Sequence, residues 1–455
     1  MKKLSNRAWV AYLLVAVLCV GMGVIVFRYA KDADEWYANR DKGPIYTAEK
    51  FLCGRIYDRS EILLLDGMKG RQYPEDEALR RATLHLLGDV QGNIPDYLIS
   101  YYREEMNAFN LFDGGTPPED AAMHLTVSSH VQKAALDALG DRKGTVGVYN
   151  YKTGEILCMV STPCFDPLNP GEVDDSEAYE GVYVNRFIHG SYTPGSIFKL
   201  VTAMAAIAEL EDLWERTYLC EGTCEVGGKD VACEKTHGEV NFSQALTKSC
   251  NIFFARLAVE LGRDCLTRYA LAIGIDQSVV FDGLTTTQGH FDVSDADEHS
   301  VGWAGAGQYT DSINPCQYMI FMGAIANGGI AAQPYLVEST FSNGTETYKA
   351  HLRYGERMLR ADVAERLAVV MHEAVLNNYG EENFAGLYAG AKSGTAEKDG
   401  EETANALFAG FVRDEQYPLA FVVVIENGGS GSEGGIPVIR QVLNACVAAM
   451  DTDEK

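Results

Sequence analysis

Ser191-Tyr192-Thr193-Pro194-Gly195-Ser196-Ile197-Phe198-Lys199-Leu200 is the stretch on which the reading of this chain turns. Pro194-Gly195 breaks the chain, and Ser196 then opens an apolar helix predicted to run to Leu210. Ser and Lys three residues apart lie one turn from each other on one helix face. A Ser at a helix N-terminus also sits at the positive end of the helix dipole, among free backbone N–H groups. A nucleophilic hydroxyl needs that combination: a base within reach, and donors for the oxyanion that forms. Lys199, set among Phe198, Leu200 and Val201, is predicted to be desolvated enough to lose its proton and act as the base. Taken alone the pair has a plainer reading, because Ser-x-x-Lys arises by chance and Ser at a helix start is usually only a cap.

Two later clusters change its weight. Lys248-Ser249-Cys250-Asn251 precedes an apolar helix, and Ser249 and Asn251, two apart on a loop, can present a hydroxyl and an amide in one direction. Ala391-Lys392-Ser393-Gly394-Thr395 ends an apolar stretch predicted as a strand over 386–391. There Lys392 supplies a fixed positive charge suited to a carboxylate, and Gly394 lets another backbone approach. Each cluster has a bland alternative, a helix cap for the second and a β-bulge with a surface Lys for the third. Ser-x-x-Lys, Ser-x-Asn and Lys-Ser-Gly in this order, spaced by about fifty and about a hundred and forty residues, form the signature of penicillin-binding proteins and serine β-lactamases.

The resemblance extends past the motifs. Asn185-Arg186 with Gly190–Ser196, Thr153-Gly154-Glu155-Ile156-Leu157 with Met159-Val160-Ser161, and Gly305-Ala306-Gly307-Gln308 with residues 324–329 resemble transpeptidase stretches of class B penicillin-binding proteins. Gly54-Arg55-Ile56-Tyr57-Asp58-Arg59 is similar to the segment opening their N-terminal region. Ser393 stands where many members have Thr, a change that keeps the hydroxyl, and the N-terminal region is short for the class. The resemblance implies an α+β fold, a central antiparallel sheet flanked by helices. It also implies peptidoglycan D,D-transpeptidase activity on stem peptides ending in D-Ala-D-Ala, and covalent capture of β-lactams. The implied roles are Ser196 as nucleophile, Lys199 as base, Ser249 as proton relay, and Lys392 with Ser393, Gly394 and Thr395 as the carboxylate and strand-binding segment. Asn251 would bond the peptide, and the backbone N–H groups of Ser196 and Thr395 would form the oxyanion hole. No metal or organic cofactor is implied; a membrane-embedded glycosyltransferase is implied as partner. A D,D-carboxypeptidase, a β-lactamase-like hydrolase, and a non-catalytic β-lactam sensor or division scaffold stand as alternatives.

Composition bounds the rest. The net charge of −26 argues against a nucleic-acid partner, which would require clustered Lys and Arg. Residues 8–27 carry no charge over a length that matches a bilayer core. That run exceeds a signal-peptide core of roughly 7–15 residues, so an uncleaved anchor is expected. Lys2, Lys3 and Arg7 before it favour a cytoplasmic N-terminus, with the catalytic part outside a bacterial plasma membrane. The expected divisions are a tail over 1–7, the anchor over 8–27, a linker over 28–50, a small N-terminal region over 51–121 and the transpeptidase domain over 122–455.

Eleven scattered cysteines do not form a disulfide framework. Cys220, Cys224 and Cys233 cluster in one loop, where a single disulfide is plausible. With His237 they can also be read as zinc ligands, but the spacing is not a standard one. Cys250 is read as a core residue facing away from the site, and His237 as loop packing.

Overall fold

The structure, a computed structural model, describes residues 2–40, 53–95, 97–106, 117–171, 173, 177–396 and 403–453. The helix Lys2–Arg40 carries one segment, Trp9–Arg28, long and apolar enough to cross a membrane. The linker beyond Arg40 and the break at Gly114-Gly115-Thr116 lie outside the described residues.

The central sheet is antiparallel, as the resemblance implies, and is built from both ends of the catalytic region. Its order is Ala389–Ala396, Asn405–Val412, Leu419–Ile425, Gly144–Asn150 and Ile156–Thr162, antiparallel throughout. Leu419–Ile425 is apolar without alternation because it is buried on both faces. Val422 and Val424 face one core, with Met319, Phe321 and Leu367. Phe421, Val423 and Ile425 face the other, with Val131, Leu136, Val438 and Leu443. Helices Pro315–Ala326 and Ala361–Ala374 therefore cover one face, and Ser129–Leu139 and Gly431–Asp453 the other.

Several boundaries differ from the sequence expectation, each for a local reason. The predicted helix over 77–87 is two pieces, Glu77–Ala82 and Leu84–Leu87. The Thr83 hydroxyl donates back to Leu79 O at 2.8 Å, the side-chain competition that interrupts helices. The closing helix starts at Gly431 rather than Pro437, since glycines at 431 and 435 let it lie against Gly394 and Phe408. The middle of the chain, expected to be mostly helical, carries two small hairpins. Thr217–Cys220 pairs with Gly238–Asn241, and Thr223–Val226 with Lys229–Ala232.

A second sheet runs in the order Thr345–Lys349, Val337–Ser342, Ala122–Leu125, Arg55–Tyr57, Leu63–Asp66. Arg55–Tyr57 pairs in parallel with Ala122–Leu125. The expected division at 121–122 thus cuts between strands that share hydrogen bonds. Arg80 adds a second tie, meeting Asp166 through two bonds of 2.7 Å with both side chains buried.

Candidate active site

Ser196 sits on a short 3-10 turn, Gly195–Phe198, that runs straight into the helix Lys199–Glu209. Gly195 has φ +56, and a Cβ there would lie 2.5 Å from Thr395 O. At Gly394 a Cβ would lie 2.6 Å from Pro194 O. Glycines on both sides therefore let the Ser196 turn close on the strand Ala389–Ala396. Tyr318 fixes the turn from below, its hydroxyl donating to Ile197 O at 2.7 Å.

One lysine gathers the first two clusters. Lys199 Nζ lies 2.6 Å from Ser196 Oγ, 2.6 Å from Asn251 Oδ1, 3.1 Å from Ser249 O and 3.2 Å from Ser249 Oγ. These partners are all neutral, and Lys199 is fully buried. Burial pushes its ammonium down to about 8. Ser249 holds φ +57, the left-handed region, which turns its hydroxyl and Asn251 toward Lys199. Asn251 Nδ2 donates to Ala232 O at 3.0 Å, so both ends of its amide are engaged within the protein.

Lys392 joins the third cluster to the others. Its Nζ lies 3.0 Å from Ser249 Oγ and 2.8 Å from Ser393 O. Burial, and then the charge of Lys199, hold its ammonium well below the usual lysine range. Lys392, Ser393, Gly394 and Thr395 lie in the C-terminal half of the strand Ala389–Ala396. Among the described residues that strand is the edge of the sheet, paired with Asn405–Val412, a position that suits an added strand.

Three residues at the site were not singled out from the sequence. Tyr379 accepts the Ser393 N–H at 3.0 Å and meets Ser393 Oγ at 3.0 Å. Gln308 Nε2 donates to Thr395 O at 2.9 Å, and Tyr318 supports the Ser196 turn. Gln308 lies in one of the family-like segments, which is a signal of a kind; Tyr379 and Tyr318 had none.

The cysteine loop differs from expectation. All eleven cysteines are free, so Cys220, Cys224 and Cys233 form no disulfide. Cys224 points elsewhere and accepts from Arg256 at 3.2 and 3.3 Å. Cys220, Cys233 and His237 instead gather with Cys250, their ligand atoms within 4.8 Å of one another. Cys250 is buried as expected, yet its sulfur belongs to this polar cluster.

Residues 144–446 match the penicillin binding protein transpeptidase domain. The chain is 30% identical over 498 residues to the peptidoglycan D,D-transpeptidase PbpA of Mycolicibacterium smegmatis, covering 97% of this chain and 98% of that one. It is 29% identical over 356 residues to stage V sporulation protein D of Bacillus subtilis, covering 73% of this chain and 54% of that one. The solved D,D-transpeptidase domain of a peptidoglycan glycosyltransferase from Eggerthella lenta superposes with TM-score 0.74 at 26% identity, covering 88% and 99% of the two chains. Penicillin-binding protein A of M. tuberculosis, solved as a ceftriaxone acyl-enzyme complex, shares the fold at TM-score 0.76 and 24% identity, over 87% and 99% of the chains. The ordered clusters that pointed to this family lie within or beside a domain match covering most of the chain, and a relative aligns with nearly its whole length: the chain belongs to the penicillin-binding protein transpeptidases, and to their class B.

Proposed function

We propose that this peptidoglycan D,D-transpeptidase uses Ser196 as its nucleophile and Lys199 as its base. The contact that carries the reading is the 2.6 Å approach of a buried lysine amine, with only neutral partners, to Ser196 Oγ. A neutral Lys199 takes the hydroxyl proton as Ser196 attacks the carbonyl of the penultimate D-Ala of a stem peptide. The Ser196 and Thr395 backbone N–H groups receive the oxyanion. Ser249, bonded to both lysines, passes the proton to the departing D-Ala. Lys392, with the Ser393 and Thr395 hydroxyls, holds the terminal carboxylate. The peptide lies against the open edge beside Gly394, with Asn251 at its flank. A neighbouring stem amine then attacks the acyl-enzyme, and a β-lactam acylates the same serine.

The helix Lys2–Arg40 serves as a single-pass anchor placing this site outside the plasma membrane, where a membrane-embedded glycosyltransferase supplies glycan. Detergent-solubilised protein should be labelled covalently by a fluorescent penicillin, and Ser196→Ala should abolish labelling. Labelling that survives the substitution would overturn the assignment. Incubation with a stem pentapeptide and an acceptor amine separates cross-linking from hydrolysis: dimer formation supports transpeptidation, and tetrapeptide alone supports the carboxypeptidase alternative.

A further inference from the structure

We propose that Cys220, Cys233, His237 and Cys250 bind one thiophilic divalent cation, of which Zn²⁺ fits best, as a closed structural site behind the second catalytic cluster. A tetrahedral zinc with Zn–S bonds of about 2.3 Å places its ligand atoms about 3.8 Å apart. His237 Nδ1 already lies 3.5 Å from both Cys220 Sγ and Cys233 Sγ, and all four ligand atoms fall within 4.8 Å. Three sulfurs and an imidazole are soft and borderline ligands that select zinc over magnesium or calcium.

The backbone is arranged to deliver them. Cys220 ends a strand paired with Gly238, next to His237. The Cys233 N–H donates to Gly222 O at 2.8 Å, which folds its loop back over that strand. The Asn251 N–H donates to Cys233 Sγ at 3.4 Å, the kind of outer bond that orients a thiolate ligand. Cys224, one hairpin away and bonded to Arg256, takes no part. Four protein ligands leave no open position, so the ion would be structural and would not bind substrate.

Its consequence for the enzyme follows from Cys250, the middle residue of Ser249-Cys250-Asn251. Ser249 is held in the left-handed region, which a non-glycine side chain disfavours. Cys250 is the N-cap of the helix Asn251–Leu261, and its side chain makes no capping hydrogen bond. A metal bond to Cys250 Sγ would fix this turn from the core side while Ser249 and Asn251 reach Lys199 from the other. This positioning role rests on the reading of Lys199 given above; the metal site itself does not.

Full-length protein purified in detergent, anaerobically and with reductant, should contain about one zinc per chain by mass spectrometry of the metal. Exchange with Co²⁺ should give intense near-ultraviolet thiolate charge-transfer bands and the visible bands of a tetrahedral site. Cys233→Ser and His237→Ala should lower metal content at least tenfold, and Cys224→Ser should leave it unchanged. Wild-type protein that binds neither Zn²⁺ nor Co²⁺ overturns the proposal, and so does a disulfide found in place of the ion. The cobalt spectrum needs no variant, so misfolding of a substituted chain cannot mask the result. Ser196→Ala should keep its zinc, which separates failure of the metal site from failure of the nucleophile.

Discussion

Lys199 and Lys392, both fully buried, share one acceptor: Ser249 Oγ lies 3.2 Å from the first amine and 3.0 Å from the second. Two ammonium groups cannot both stay charged at that separation in a dry site without cost. The arrangement favours one neutral amine of the two, with the Ser249 hydroxyl able to pass a proton between them.

The pH dependence of acylation follows. In the proposed mechanism Lys199 acts when neutral, and its folded value near 8 means the neutral fraction rises as pH rises through 8. The second-order rate of penicillin labelling should therefore climb about ninetyfold between pH 6 and pH 9, from the change in neutral fraction. A rate flat across that range would remove Lys199 as the base.

Gly195 offers a test of the close approach beside the nucleophile. Gly195→Ala forces a side chain into a left-handed turn, which costs about 1–2 kcal/mol. It also drives a Cβ against Thr395 O. Labelling should slow at least tenfold, with a lower melting temperature. Wild-type rates in this variant would mean the turn does not need its present seating.

Tyr379→Phe should leave the Ser393 N–H without its partner and release the Ser393 hydroxyl. A buried donor left unsatisfied costs roughly 1–3 kcal/mol. Because Ser196 and Lys199 are untouched, the expected signature is weaker stem-peptide binding, a raised KM with kcat less affected. A fall in kcat with unchanged KM would contradict it.

The Arg80–Asp166 pair sets an acid limit on stability. Arg80 holds the Asp166 carboxyl down to about 2. A depressed carboxyl contributes stability above its unfolded value near 4 and loses it as pH falls through about 2. Arg80→Met leaves Asp166 buried and unpaired and should cost about 3–5 kcal/mol at pH 7. Denaturant titrations of both proteins at pH 7 and pH 3 check this, and the gap between them should narrow at the lower pH. A gap that widens instead would place the stabilising charge elsewhere.

The candidate site was legible in the sequence because its members recur as short patterns in fixed order. Ser196, Lys199, Ser249, Asn251 and Lys392 do converge, and the strands at both chain ends were legible as apolar runs. What escaped was decided by contacts distant in sequence. Tyr379 reaches Ser393 from the end of the helix following Arg360, and nothing near Tyr379 marks it. The cysteine grouping misled for a related reason. Cys224 is close to Cys220 in the chain but lies on the outer hairpin, while Cys250 enters from the following helix.

The sheet shared by Arg55–Tyr57 and Ala122–Leu125 has a mechanical meaning. Parallel strands pulled along their length load every hydrogen bond together in shear instead of peeling one at a time. Tension entering through Arg55–Tyr57 would thus be carried as a whole into the body that holds Ser196. The short N-terminal region would act as a stiff lever on the catalytic cleft, and a twist of one would be felt by the other.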